Sequence, residues 1–205
     1  MNTLTIKTVD LINICNAAKS FKEKVFIFYY GKLYSVNDNY IKYTSHVNTE
    51  FDIPCMFVYR ELSAFIKTIT IETELRGVGD GELYTFTANT GIEMKVRVPN
   101  KHFMDNFNYR INNFFNLVSH YDVNEYGDIT EELQELFNMK KVDGSMLYNK
   151  DGYIMTLIYG SLPLNKSDKV SLAIYNMGTT FVARFNVIKK NTTITTFIRY
   201  IRIYE

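Results

Sequence analysis

The most constraining feature of this chain is a unit of pattern that occurs three times. A short amphipathic segment is followed by a strand-like run, a turn and a second strand-like run, beginning near Thr8, near Arg60 and near Ile129. Leu11, Ile14, Cys15, Ala18 and Phe21 recur at helical spacing, which predicts a first helix over about Thr8–Ser20. Leu62, Phe65, Ile66 and Ile69 predict a second over about Arg60–Thr68. Ile129, Leu133, Leu136 and Phe137 predict a third over about Ile129–Lys140, with Asp128 and Glu131 as a capping box. No residue identity links the three units; only the pattern repeats. A chain built this way favours an antiparallel sheet with its helices on one face, an α+β arrangement.

The runs between the helices carry the Phe, Tyr, Val and Ile enrichment of strands. They are expected at Val25–Tyr29, Lys32–Val36, Tyr40–Val47, Phe51–Tyr59, Ile69–Arg76, Glu82–Ala88 and Ile92–Val98. Later ones follow at Ser145–Asn149, Tyr153–Gly160, Lys169–Asn176, Thr180–Lys189 and Thr193–Tyr204. Gly31, Asn37-Asp38-Asn39, Gly77, Gly79, Gly81 and Gly91 read as turns between them. From Asn100 to Gly127 the pattern breaks into Asn and aromatic residues with room for a helical turn, the best place for a connector. The resulting division is 1–99, a connector at 100–127, and 128–205.

Charge and composition narrow the function classes. With 23 basic and 22 acidic side chains among 205 residues, the formal charge is +1, so a nucleic-acid contact must come from a local patch. The heavy use of Asn, Lys, Ile and Tyr reads as coding bias in an AT-rich genome, phage or low-GC bacterial. Cys15 and Cys55 can bridge but are too few for a secreted disulfide scaffold. There is no signal pattern and no membrane-length apolar run, which points to a reducing cytoplasm.

The segments that invite a chemical reading each fail at a required position. Asp122 to Ile129 starts like a calcium loop, but Tyr126 and Leu133 stand where carboxylates are needed, so an acidic turn before a capped helix is the plainer reading. Gly77-Val78-Gly79-Asp80-Gly81 lacks the Lys-Ser/Thr of a phosphate loop and reads as a hairpin turn. His46, His102 and His120 show no zinc-ligand spacing. Glu131, Glu132 and Glu135 read as a solvated helix face. No cofactor and no catalytic residue is expected, and the chain reads as a binding or assembly component.

The outer faces of the first two helices differ from the third. Arg60 and Lys67 lie on one side of the second helix among small residues. Asn13, Asn16 and Ser20 lie outward on the first, with Lys19 beside them. Small polar and basic side chains suit sequence-independent contact with phosphates; a plain solvated face is the alternative.

Residues 8–98 resemble the first domain of a DNA polymerase sliding clamp, especially the short clamps of large phages. The resemblance is carried by the opening helix, the meander Val25–Val36, the segment FDIPCMFVYRELSAFIKTI from Phe51 to Ile69 with Leu62, Phe65 and Ile66 as its helical stripe, and the closing runs GELYTFTAN and GIEMKVRVP. It implies a DNA-clamp-like fold of two tandem clamp-like domains, the second reduced. It further implies a closed ring of identical subunits, expected as a homotrimer, around double-stranded DNA, tethering a polymerase and served by a clamp loader. Arg60, Lys67, Lys19, Lys22, Lys24, Asn13 and Asn16 are then the expected DNA contacts. Phe114, Phe115 and Leu117 in the connector are either partner-peptide contacts or core. A phage virion or assembly protein and a monomeric DNA-binding processivity factor remain the alternatives.

Overall fold

The computed structural model describes residues 1–69, 74–139, 145–158, 162 and 168–201. The protein is α+β, with antiparallel strands and, among the described residues, four helices. No helix among these residues is long and apolar enough to cross a membrane. The chain divides into two compact units: residues 1–35 with 43–110, and residues 36–42 with 111–205.

The first unit contains β1 (Asn2–Lys7), α1 (Thr8–Phe21), β2 (Val25–Tyr29), β3 (Lys32–Val36), β5 (Cys55–Val58), α2 (Tyr59–Ile66), β6 (Glu74–Gly79), β7 (Leu83–Thr87) and β8 (Glu93–Arg97). The last residue of β3, Val36, falls in the second unit, and the strand β4 (Tyr40–Thr44) and the helix α3 (Lys101–Ser119) each give one part to either unit. The strand order is β1-β6-β7-β8-β5-β2-β3. Leu11, Ile14, Ala18 and Phe21 of α1 and Leu62 and Phe65 of α2 are fully buried. They meet a sheet face carrying Phe26, Phe28, Phe57, Phe86, Met94 and Val96. Phe21 stands edge-on to Phe26 at 6.5 Å, and Phe26 stacks on Phe57 at 5.6 Å.

The second unit orders its strands β4-β14-β13-β12-β9, with β9 at Val123–Asp128, β12 at Lys169–Asn176, β13 at Thr180–Ile188 and β14 at Thr193–Ile201. A separate hairpin pairs β10 (Ser145–Lys150) with β11 (Tyr153–Ile158). The helix α4 (Thr130–Met139) is tied to β12 at its start: Ile129 N–H donates to the Val170 carbonyl at 2.9 Å, and Val170 N–H donates to Thr130 Oγ1 at 2.8 Å. Asp128 caps α4 through Thr130, whose N–H lies 2.9 Å from the carboxylate, and not through Glu131.

Several expectations are corrected. The stretch expected as a connector with at most a helical turn holds the 19-residue helix α3. Met104, Phe107 and Val118 anchor it by burial despite the poor helix propensity of its asparagines. The expected acidic turn at Asp122–Gly127 is largely strand β9, paired to β12 with a bulge between Leu172 and Ala173. Gly77 and Gly79 are not turn residues but lie inside β6. A Cβ at Gly77 would sit 2.5 Å from the Phe86 ring, so the glycine makes room for that ring in the core. The segment Phe51–Tyr59 is strand only at Cys55–Val58, and Asn2–Lys7, unassigned from sequence, is a strand paired to β6. The residues 70–73 of one expected strand, and the expected element ends at Lys140, Gly160 and Tyr204, lie outside the described residues.

Candidate nucleic-acid interface

Strand pairing brings the two basic helices together. β2 follows α1 and β5 leads into α2, and these strands pair antiparallel with Val25 opposite Val58 and Phe28 opposite Cys55. The end of α1 is thereby set beside the start of α2, and Tyr59 N–H donates to the Lys24 carbonyl at 2.9 Å. Lys24 and Arg60 consequently lie at one junction, both exposed.

The far end of α2 meets the middle of α1. Burial raises the Cys15 thiol above its usual range, and the ammonium groups of Lys19 and Lys67 both act on it in the opposite direction. Two exposed lysines from different helices thus lie within electrostatic reach of one sulfur. Lys22 is exposed as well, in a left-handed conformation with φ 59°, its N–H bonded to the Ala18 carbonyl at 3.1 Å as the α1 C-cap.

The acids of these helices are largely turned to backbone groups. The buried Asp10 carboxylate accepts from Glu50 N–H at 3.2 Å, and Glu61 faces Lys95 N–H at 3.4 Å. Glu23 is half-buried between Lys22 and Lys24. Of the two expected amide contacts, Asn16 is exposed, while Asn13 donates to the Asn48 carbonyl at 2.7 Å and helps hold the loop after β4. Asn16 and five cations on or just beyond the ends of α1 and α2 are therefore exposed, whereas Asn13 is engaged within the fold.

The other expected cluster lies in the second unit. Phe114 and Phe115 are half-buried and both stand edge-on to Phe197 at 5.5 Å, so their rings are part of the packing of α3 on β14. Leu117 points outward, 43% exposed. Beside them is a group with no local sequence signal. Arg184 donates to Tyr175 Oη at 2.9 Å and to Glu125 Oε1 at 2.5 Å, and its guanidinium lies 5.8 Å from the Tyr175 ring centre. Tyr175 stands on the paired strand β12, and Glu125 on β9 is too far away in sequence for spacing to reveal it.

No protein-family model and no curated protein matches the chain. Among solved structures, a putative DNA polymerase III beta subunit from Eubacterium rectale is similar over 98% of this chain and 66% of its own, at 10% identity and a TM-score of 0.45. A DNA polymerase III subunit beta from Pseudomonas aeruginosa is similar over 96% and 64%, at 9% identity and a TM-score of 0.44. The DnaN sliding clamp from Bartonella birtlesii is similar over 100% and 66%, at 8% identity and a TM-score of 0.46. This chain spans just under two thirds of the length of each of these three proteins.

Proposed function

We propose that this protein is a sliding clamp of the phage type, which encircles duplex DNA and tethers a replicative polymerase without making or breaking a bond. The reading rests on one observation: Lys19 on α1, Arg60 on α2, and Lys22, Lys24 and Lys67 just beyond the ends of these helices are all exposed, while Asp10 and Glu61 are turned to backbone groups. Such a surface suits weak, salt-dependent contact with phosphates and carries no base-specific chemistry.

In this reading Arg60, Lys67, Lys19, Lys22 and Lys24 face the duplex, with Asn16 beside them and Asn13 contributing by position only. The two units act as tandem clamp-like domains, the second reduced, and identical subunits close a ring, a trimer. Leu117, with the edges of Phe114 and Phe115, meets a polymerase or loader peptide. The protein works in the cytoplasm of a bacterial host.

Two measurements test the reading. Light scattering on the purified chain should give a closed small oligomer, a trimer. A strict monomer at high concentration would favour a monomeric processivity factor, and an open-ended assembly would favour a virion part. Primer extension with the cognate polymerase and loader should give longer products when the protein is added. Unchanged product length rejects the clamp reading.

A further inference from the structure

The opposite face of the first unit's sheet carries a second surface, which the clamp reading does not use. Strand alternation turns Tyr29 and Tyr34 away from Phe26 and Phe28, and so away from α1. The first half of α3 covers part of this face. Phe107 stands edge-on to Tyr29 at 6.0 Å and to Tyr34 at 5.7 Å, and Asn108 donates to Tyr29 Oη at 3.2 Å. Phe103 lies parallel to Phe107 at 6.4 Å, and Tyr34 meets Tyr43 at 5.9 Å. These rings form a continuous aromatic bed.

Two rings stand proud of it. Phe103 is 40% exposed and Tyr30 is 71% exposed. Tyr30 lies on Tyr29 with ring centres 4.3 Å apart. Its backbone is the unusual part. The β2–β3 turn passes through Tyr30 and Gly31 with φ of 45° and 67°, a turn in which the first position favours Asn, Asp or Gly. A bulky side chain with positive φ is an outlier, and residues held this way concentrate at functional sites. Burial does not explain the tyrosine, because most of its ring faces solvent.

The charges around the bed decide what it fits. β3 and α3 carry Lys32, Lys101 and Arg110, against the single acid Asp105. Lys32 Nζ lies 5.4 Å from the Tyr43 ring centre, at the margin of the bed. Exposed rings beside cations are what single-stranded nucleic acid needs: stacking is available to every base, and the backbone is drawn electrostatically. We infer that this face binds single-stranded nucleic acid, with bases stacking on Tyr30 and Phe103 and phosphates running past Lys32, Lys101 and Arg110. This inference does not depend on the ring.

The test is fluorescence anisotropy of labelled oligo(dT) of about 20 nucleotides, longer than one site of ~4–16, titrated with the full chain at low salt. Tyr30→Asn suits the turn better than tyrosine, so the variant keeps its thermal transition while losing the ring. It should weaken oligo(dT) binding roughly tenfold and leave duplex binding unchanged. Phe103→Leu should weaken it by a similar factor. The chain has no Trp and 16 Tyr, so binding should also quench tyrosine fluorescence, less so in Tyr30→Asn. The inference is overturned if oligo(dT) does not bind, or if Tyr30→Asn leaves its affinity unchanged, as it would on a surface for a protein partner. It is equally overturned if oligo(dT) affinity falls only in Lys19→Ala with Lys67→Ala. Loss of duplex binding alone would count against the clamp reading and leave this one standing.

Discussion

Helices α2 and α4 each follow a strand and are each followed by an antiparallel hairpin, α2 by β6–β7 and α4 by β10–β11. Each buries leucine on its inner side, Leu62 in one and Leu133 in the other. Their outer sides differ in sign. α2 exposes Arg60 in its first turn and is followed by exposed Lys67, whereas α4 exposes Glu131 and Glu135. A third acid of α4, Glu132, accepts from Lys150 Nζ and Tyr148 Oη, both at 2.6 Å. The shape of the unit is repeated without its electrostatics, so affinity for a polyanion should reside in the first unit.

Damage to each core separately should have the largest effect. Phe57 in the first unit and Phe185 in the second are fully buried, and Phe57→Ala or Phe185→Ala should each cost about 3–5 kcal/mol. Hydrogen exchange should then show lost protection in the substituted unit alone. Loss across both would mean that the two fold as one body.

Next comes the contrast between ion pairs. Lys189 and Asp168 in the second unit pair at 2.5 Å with side chains 6% exposed each, while Lys7 and Glu50 in the first unit form an exposed pair. Lys189→Met should cost roughly 3–5 kcal/mol in chemical denaturation, because the Asp168 carboxylate stays buried without its ammonium. Lys7→Met should have no measurable effect.

Charge reversal addresses the helix faces directly. Lys19→Glu with Lys67→Glu should lower duplex affinity at low salt by roughly 10–100-fold and reduce the slope of log K against log salt by about two. Glu131→Lys with Glu135→Lys should raise affinity. If the acidic pair proves as harmful to reverse as the basic pair, the contrast between the units does not govern binding.

A smaller effect should come from Lys22→Gly. Relief of the left-handed cap should raise stability by about 1 kcal/mol, read as a higher thermal midpoint, while duplex affinity falls modestly.

The smallest expected effect is a pH dependence confined to α4. Lys150 first, and then Tyr148, hold the Glu132 carboxyl below its usual value of 4.5. A lowered carboxyl stabilises the fold fully above that value and loses its contribution as pH falls through the lowered one. Glu132→Gln should therefore flatten stability against pH only below about 4.5, as followed by thermal melts.

Legibility from sequence followed local contrast. The β2 and β3 bounds match the expected runs because short β-branched and aromatic runs stand between clear turns, and α1 shows because its stripe is unbroken. Helix α3 was obscured by Asn106, Asn108, Asn112, Asn113 and Asn116, and by aromatics that face two different partners, Tyr29 and Tyr34 for Phe107 and Phe197 for Phe114. β1 is faint in the sequence because Leu4 and Ile6 are its only buried positions, though their alternation is a readable signal. The cations of α1 and α2 could be named from sequence, but their meeting across Cys15 depends on the β2–β5 register. Tyr30 carries a sequence signal of its own, an aromatic directly before the glycine of a tight turn.

The placement of the two cysteines has a practical consequence. Both are buried free thiols; burial raises Cys15 and pushes Cys55 to about 12, so neither offers much thiolate near neutral pH. A cysteine introduced at an exposed position such as Asn16 or Thr87 should therefore take a maleimide dye ahead of the native pair. Fluorophores can then be mounted singly on the wild-type background, and subunit exchange or strand passage followed by energy transfer, without first deleting residues on which the first unit's core is packed.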